Sequence, residues 1–265
     1  MTKIAAARFS ARRTASLSRW NTILLSRNRV AFFYAAVFPV VPLALLFTGD
    51  RGDESLGASA ITTGFLVASL FTIYYNVLSQ FVSRRDELVL KRMRTGEAQD
   101  AELLVSIAAP GAMSALIAFV IVIPLAVVLG QPLPVNPLLY AALAVLVIAT
   151  FSAFAFWTAA WTRSAESAQL SSLPLILLAS VGPMVNTIPD MPDAVREILS
   201  LTPGAAMSDL IRIGWFGLDG PEATETTLSF AETWSQAAGP LLVLTAWMLV
   251  ALTLARRSIR WEPRT

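Results

Sequence analysis

The chain has 265 residues, of which 55% are hydrophobic and only 14% charged, with a formal net charge of +2. A soluble domain carries about 25% charged residues, so most of this surface is built to meet lipid rather than water. The absence of cysteine and histidine excludes disulfides, thiolate and imidazole metal sites, and catalysis by a Ser-His-Asp triad or a cysteine nucleophile.

Residues 1–29 hold seven Lys/Arg and no acid. Within them Leu17, Trp20 and Leu24 recur at helical spacing, with Arg12 and Arg19 near the opposite face. Two readings fit: a helix lying in the headgroup plane, or a basic leader that only sets topology. Arg27 and Arg29 fall at the headgroups in either. The segment does not read as a signal peptide, because the first apolar run begins only at Val30, exceeds an h-region and has no small-residue cleavage pattern.

A helix needs about 20 mainly apolar residues to cross the hydrocarbon core. Six stretches without Asp, Glu, Lys or Arg qualify: 30–48, 61–82, 103–129, 137–162, 169–185 and 237–255. Numbered alternately, the segments between them place seventeen basic residues on one side and three on the other. The positive-inside rule then puts both termini and the segments 83–102 and 163–168 in the cytoplasm. The expected fold is an all-α integral membrane protein with six transmembrane helices. It forms a single transmembrane domain spanning 1–265, with both termini cytoplasmic.

The segment from Ser83, SRRDELVLKRMRTGEAQDAEL, is too charged for membrane yet helical in pattern. Val89, Leu90 and Met93 form an apolar stripe, Glu87 and Lys91 stand at i, i+4, and Thr95-Gly96 supplies a stop. A short amphipathic helix over 83–97 is suited to docking into a groove on a soluble partner; a solvated helix shielding the bundle fits the residues equally well.

The external segment 186–236 contains two short helices. Asp193 is placed to cap one over Ala194–Ser200. Thr202, followed by Pro203 at the first helical position, caps another that carries Met207, Leu210 and Ile211 and ends near Trp215. The acidic stretch from Asp219 to Glu232 reads as an exposed loop. The pair serves either as a cap packed on the bundle or as a lid above a substrate path.

Several function classes find no support. There is no GxxxxGK[ST] loop for nucleotide, no intramembrane acid or base for a proton relay and no obvious inverted repeat. No carboxylate pair or nucleophile-base constellation suggests an enzyme. No basic face with interleaved aromatics away from the membrane suggests nucleic acid.

Taken together, these segments resemble the permease subunit of type-2 ABC exporters, the group of bacterial drug, antibiotic and polysaccharide export permeases. The resemblance covers nearly the whole chain and rests on four stretches. An amphipathic helix leads into SRNRVAFFYAAVFPVVPLALLF (Ser26 to Phe47). The charged cluster Arg85-Asp86-Glu87 is followed by Leu90-Lys91-Arg92-Met93-Arg94-Thr95. A Pro-rich turn and two short helices follow the fifth span, in GPMVNTIPDMPDAVREILSLTPGAAMSDLIRI (Gly182 to Ile213). The last span ends in RRSIRW (Arg256 to Trp261). The chain departs from the family's pattern at Gly182-Pro183, where Ser-Gly is common, at Thr202, where Asn is common, and at Gly96, where Pro is common.

The resemblance implies an elbow helix over 1–29 and a coupling helix over 83–97. It further implies a cytoplasmic ABC ATPase subunit in two copies, which would hold ATP and Mg2+, with no cofactor or metal on this chain. The partner permease would be a second copy or a close paralogue. Docking would fall to Arg85, Asp86, Glu87, Leu90, Lys91, Arg92, Met93 and Arg94, with Leu90 and Met93 as the apolar knob.

The spans carry aromatic and small polar residues, which suit a hydrophobic or amphipathic compound. Phe71, Tyr74, Tyr75, Asn76, Gln169 and Ser172 are the candidate path residues, and Phe151, Phe154, Phe156 and Trp157 add aromatic walls in the fourth span. The alternatives are export of a polysaccharide or lipid-linked glycan, a secondary carrier or channel, or a membrane anchor without an ATPase partner.

Overall fold

The computed structural model describes residues 9–29, 33, 37–94, 99–164, 166–186, 188, 191–220, 225–259 and 261, and every regular element among them is helical. Five helices are long and apolar enough to cross a membrane: α2 (Glu54–Asp86), α4 (Asp100–Val128), α5 (Pro137–Ala159), α6 (Ala168–Val185, its last turn 3-10) and α9 (Phe230–Ser258). Between and before them lie α1 (Ala11–Arg27), α3 (Val89–Arg94), α7 (Asp193–Ser200) and α8 (Pro203–Phe216). The last two are short and amphipathic, and the second is capped at both ends.

The first expected span differs from the other five. Its described part is a ten-residue 3-10 helix, Phe38–Phe47, while 30–32 and 34–36 lie outside the described residues. Pro39 and Pro42 explain the geometry. Pro42 has no N–H to give the Phe38 carbonyl, so the α-helical ladder cannot close there.

The other boundaries follow local signals. Asp53 caps α2 by accepting from the Ser55 and Leu56 amides at 2.9 and 3.0 Å, so this helix starts seven residues before the uncharged stretch. Ser229 and Glu232 form a reciprocal capping box at the start of α9. The last helix therefore begins at Phe230 rather than 237, and the expected exposed loop ends earlier. Gln99 and Glu102 do the same for α4. Thr202 caps α8 as expected, accepting from the Ala205 amide at 3.2 Å, and Gly217 closes that helix in the left-handed conformation. Asp193 does not cap α7. The helix begins at Asp193 itself, with Pro192 in the cap position and no side-chain bond.

The core runs along α2 and α5, the most enclosed of the five long helices, while α9 is the most peripheral. Aromatic rings fill it. Phe65 stacks on Phe119 at 3.9 Å between centroids, Tyr140 meets Phe65 and Trp215 edge-on, and Tyr140 donates to the Phe119 carbonyl at 2.8 Å. Phe151 and Phe154 are fully buried and Phe156 nearly so. They pack helix on helix and do not line an open wall.

Midway along α2, residues Ala68–Tyr75 are π-helical. Such stretches are rare in α-helices and mark functional positions more often than chance. Here α4 presses against the stretch through Gly111, where a Cβ would stand 2.6 Å from the Thr72 carbonyl oxygen. Only glycine permits that approach.

The chain ends and connections sort into two groups. Near one end of the bundle, α1 donates from Asn21 to the Ser106 carbonyl at 2.6 Å, Arg84 reaches Asn21 at 2.9 Å, and Trp261 packs on Phe81. At the other, Arg51 reaches the Val128 carbonyl at 3.2 Å, and Trp215 donates to the Pro132 carbonyl at 2.9 Å.

Candidate functional site

The charged segment between α2 and α4 does not form one helix over 83–97. The α2 helix continues to Asp86, Glu87 ends it, and Leu88 turns the chain with φ +60° before α3 starts at Val89. Residues 95–98 lie outside the described residues, so the Thr95-Gly96 stop is not described. Leu88 is the only non-glycine residue with positive φ among those described. The left-handed region costs an L-residue roughly 1–2 kcal/mol, and such outliers cluster at functional sites.

The break changes which side chains face outward. Glu87 lies outside α3, so it and Lys91 do not share a helix. Leu90, expected as the docking knob, is fully buried in the chain's own core, as are Phe81 and Val82. Leu88 is 40% exposed instead. Asp86, Glu87 and Arg92 are exposed and Met93 is half-buried. Lys91 and Arg94 belong to α3, and nothing is described of their side chains.

Arg85 is a second correction. Its side chain is fully buried and donates to the carbonyls of Ala159, Thr162 and Arg163 at 2.8, 2.7 and 3.3 Å. The last carbonyls of α5 have no intrahelical donors, and a cation there also meets the negative end of the helix dipole. Asp86 Oδ1 lies 3.4 Å from Arg85 Nε. Arg85 therefore ties the end of α2 to the end of α5 and does not face a partner. The corner between α2 and α3 is thus held from within.

The α1 helix is held against α4 by its polar side. Arg13 pairs with the buried Glu102 at 3.0 Å, and Thr14 and Asn21 are buried. Trp20 and Leu24 turn outward, 62% and 60% exposed, and Arg12, Arg19, Arg27 and Arg29 are exposed. A helix docked by its polar side and bare on its apolar stripe suits a lipid boundary.

The candidate path residues are not brought together. Phe71 is 41% exposed and meets Phe38 edge-on. Tyr74 is fully buried and donates to Thr158 Oγ1 at 3.1 Å, so it ties α2 to α5. Tyr75 and Asn76 are half-buried, and Asn76 accepts from the Gln80 amide. On α6, Gln169 is exposed, while Ser172 is buried and donates to the Gln169 carbonyl at 2.7 Å. Between α2, α4 and α5, the rings of Phe65, Phe119 and Tyr140 pack against one another.

At the other end of the bundle, a cavity of about 530 Å³ opens between α7, α8 and α9. Asp193, Arg196, Glu197 and Ser200 line it from one side of α7, while Val195 and Ile198 on its other side are exposed. Burial lowers the pKa of Arg212 in this cavity, and Asp209 opposes the shift.

A family model described as "ABC-2 family transporter protein" matches residues 30–257. No curated protein matches the chain.

Proposed function

Because the chain belongs to the ABC-2 family of transporters, we propose that it is the membrane subunit of an ATP-driven exporter of a hydrophobic or amphipathic compound. A separate ABC ATPase subunit docks in two copies on the corner formed by α2 and α3, holding ATP and Mg2+. Both termini lie on the cytoplasmic side with that corner, where the basic residues concentrate. Two permease copies, or this chain and a paralogue, enclose the path between them. The aromatic packing between α2, α4 and α5 supports a path outside the single chain.

The reading includes a sixth crossing, within 28–48. It is supported by two contacts on α4. Asn21 bonds Ser106 near its start, and Arg51 bonds Val128 at its end. These residues are about 33 Å apart along a helix with 1.5 Å rise, so the chain between Arg27 and Thr48 has a bilayer thickness to cover.

The observation that carries the docking role is the strained, exposed Leu88 at the tip of a helix pinned from within by Arg85. A closing ATPase dimer pushes on Leu88, Glu87 and Arg92, and the rigid corner transmits the push to α2 and α5. The test is Leu88→Asp in the assembled complex. ATPase stimulation falls at least tenfold while the melting temperature of the permease is unchanged. Full stimulation in a folded L88D complex would sink the assignment.

A further inference from the structure

We propose that Arg84, Gln80, Asn76 and Asn21 form a binding site for the phosphate headgroup of an anionic amphiphile at the edge of the bilayer. Asn76, Gln80 and Arg84 recur every four residues along α2, so they stand on one face, one turn above the next. The Gln80 amide donates to Asn76 Oδ1, and Arg84 Nη2 donates to Gln80 Oε1 at 3.2 Å and to Asn21 Oδ1 at 2.9 Å. Asn21 in turn donates to the Ser106 carbonyl. Both bonds that Arg84 donates use one nitrogen of the guanidinium, Nη2. Arg84 Nε and Nη1 have no partner among the described residues, and no described carboxylate stands within ion-pair distance. Glu87 acts on Arg84 only at longer range, and Asp86 is engaged by Arg85. Arg84 is thus a half-buried cation with open donors and no paired carboxylate among the described residues, an arrangement that a fork-shaped phosphate contact completes.

The depth of the site names the ligand. The uncharged stretch 61–82 is centred between residues 71 and 72. For a helix along the membrane normal, Arg84 lies about 19 Å from the midplane, Gln80 about 13 Å and Asn76 about 7 Å. The hydrocarbon half-thickness is about 15 Å. Arg84 therefore stands at phosphate level, and the polar track leads inward from it. The exposed Trp20 and Leu24 on α1, which Asn21 holds against this track, offer an apolar flank for the chain of such a molecule.

Docking of α1 alone does not require this charge. It uses a single N–H of Arg84, which a glutamine amide also supplies. That difference makes the proposal testable. The proposal deepens the function above by giving the amphiphile its head, and it shares with that reading the placement of α1 at a membrane surface. Lipid retention is read on the full-length permease without ATP, so its failure and a failure of ATPase coupling are separate results.

The experiment is native mass spectrometry of the full chain purified from mixed micelles containing equal phosphatidylglycerol and phosphatidylcholine of one chain length. The wild type retains phosphatidylglycerol over phosphatidylcholine by about tenfold, the ratio expected from one charge-assisted contact. Arg84→Gln removes the preference at an unchanged melting temperature, and Arg84→Lys, which keeps the charge without the fork, retains part of it. No preference in the wild type, or the same preference in a folded R84Q or R84K protein as in the wild type, would overturn the site. Millimolar inorganic phosphate leaves the retained lipid in place; displacement by phosphate alone would show that the ligand is a soluble anion and overturn the amphiphile.

Discussion

Replacing Arg85 by methionine keeps the length of the stem and removes every donor. Two short bonds, to Ala159 and Thr162, and a longer one to Arg163 disappear. Hydrogen bonds to a charged group are worth about 1.5–3 kcal/mol each, but the desolvation that the buried guanidinium suffers is recovered when it is removed. The net expectation is a loss of about 2–6 kcal/mol, from leaving the two closely bonded buried carbonyls without a donor at about 1–3 kcal/mol each. A domain is stable by only about 5–15 kcal/mol, so R85M should lower the unfolding midpoint steeply in a denaturant titration in mild micelles, followed by tryptophan fluorescence. Arg85→Lys, a point cation that still reaches one or two carbonyls, should lose about half as much. An R85M protein within about 1 kcal/mol of the wild type would refute the pinning of α2 to α5.

Two further predictions follow from local geometry. Gly111→Ala places a methyl against the Thr72 carbonyl and should cost about 1–3 kcal/mol of stability, the usual cost of overpacking; an unchanged melting temperature would mean that the π-helical stretch yields freely. Asp53→Ala should cost about 1 kcal/mol through loss of the α2 cap. The Leu56 amide, then the Ser55 hydroxyl, hold the Asp53 carboxyl below its usual pKa. Its contribution is therefore complete at neutral pH and declines as pH falls through and below the ordinary carboxylate range. The gap between wild type and D53A should narrow there, and a constant gap would contradict the cap.

Five of the six expected spans were legible because lipid tolerates no unpaired charge, and these five uncharged runs fall on helices long enough to cross. The charge at the rims was less legible. Glu102 and Arg85 fall in the charged segment 83–102, yet each is buried with a partner far away in sequence, which no local pattern encodes. The Leu88 break shifted the face of the docking helix, because a stripe drawn through Val89, Leu90 and Met93 assumes a helix continuous from Ser83. Only tertiary packing decides that Leu90 turns inward. Two signals were present in the sequence. Ser229-x-x-Glu232 is a capping-box pattern and marks the true start of α9. Pro39 and Pro42, three residues apart, bar an α-helical ladder across the first apolar run. Of the docking residues, Asp86, Glu87 and Arg92 keep an outward position, and Leu88 joins them.

The central claim is that an ABC ATPase subunit seats on the corner between α2 and α3. The chain has no cysteine, so a single introduced thiol reports without background. Glu87→Cys, at the exposed corner, and Glu225→Cys, exposed on the opposite side of the bundle, would each be co-expressed with a candidate ABC ATPase subunit and treated with a short thiol-to-amine cross-linker. The account predicts a permease–ATPase adduct from E87C and none from E225C. An ATPase that co-purifies but joins to neither, or joins through E225C, would contradict it.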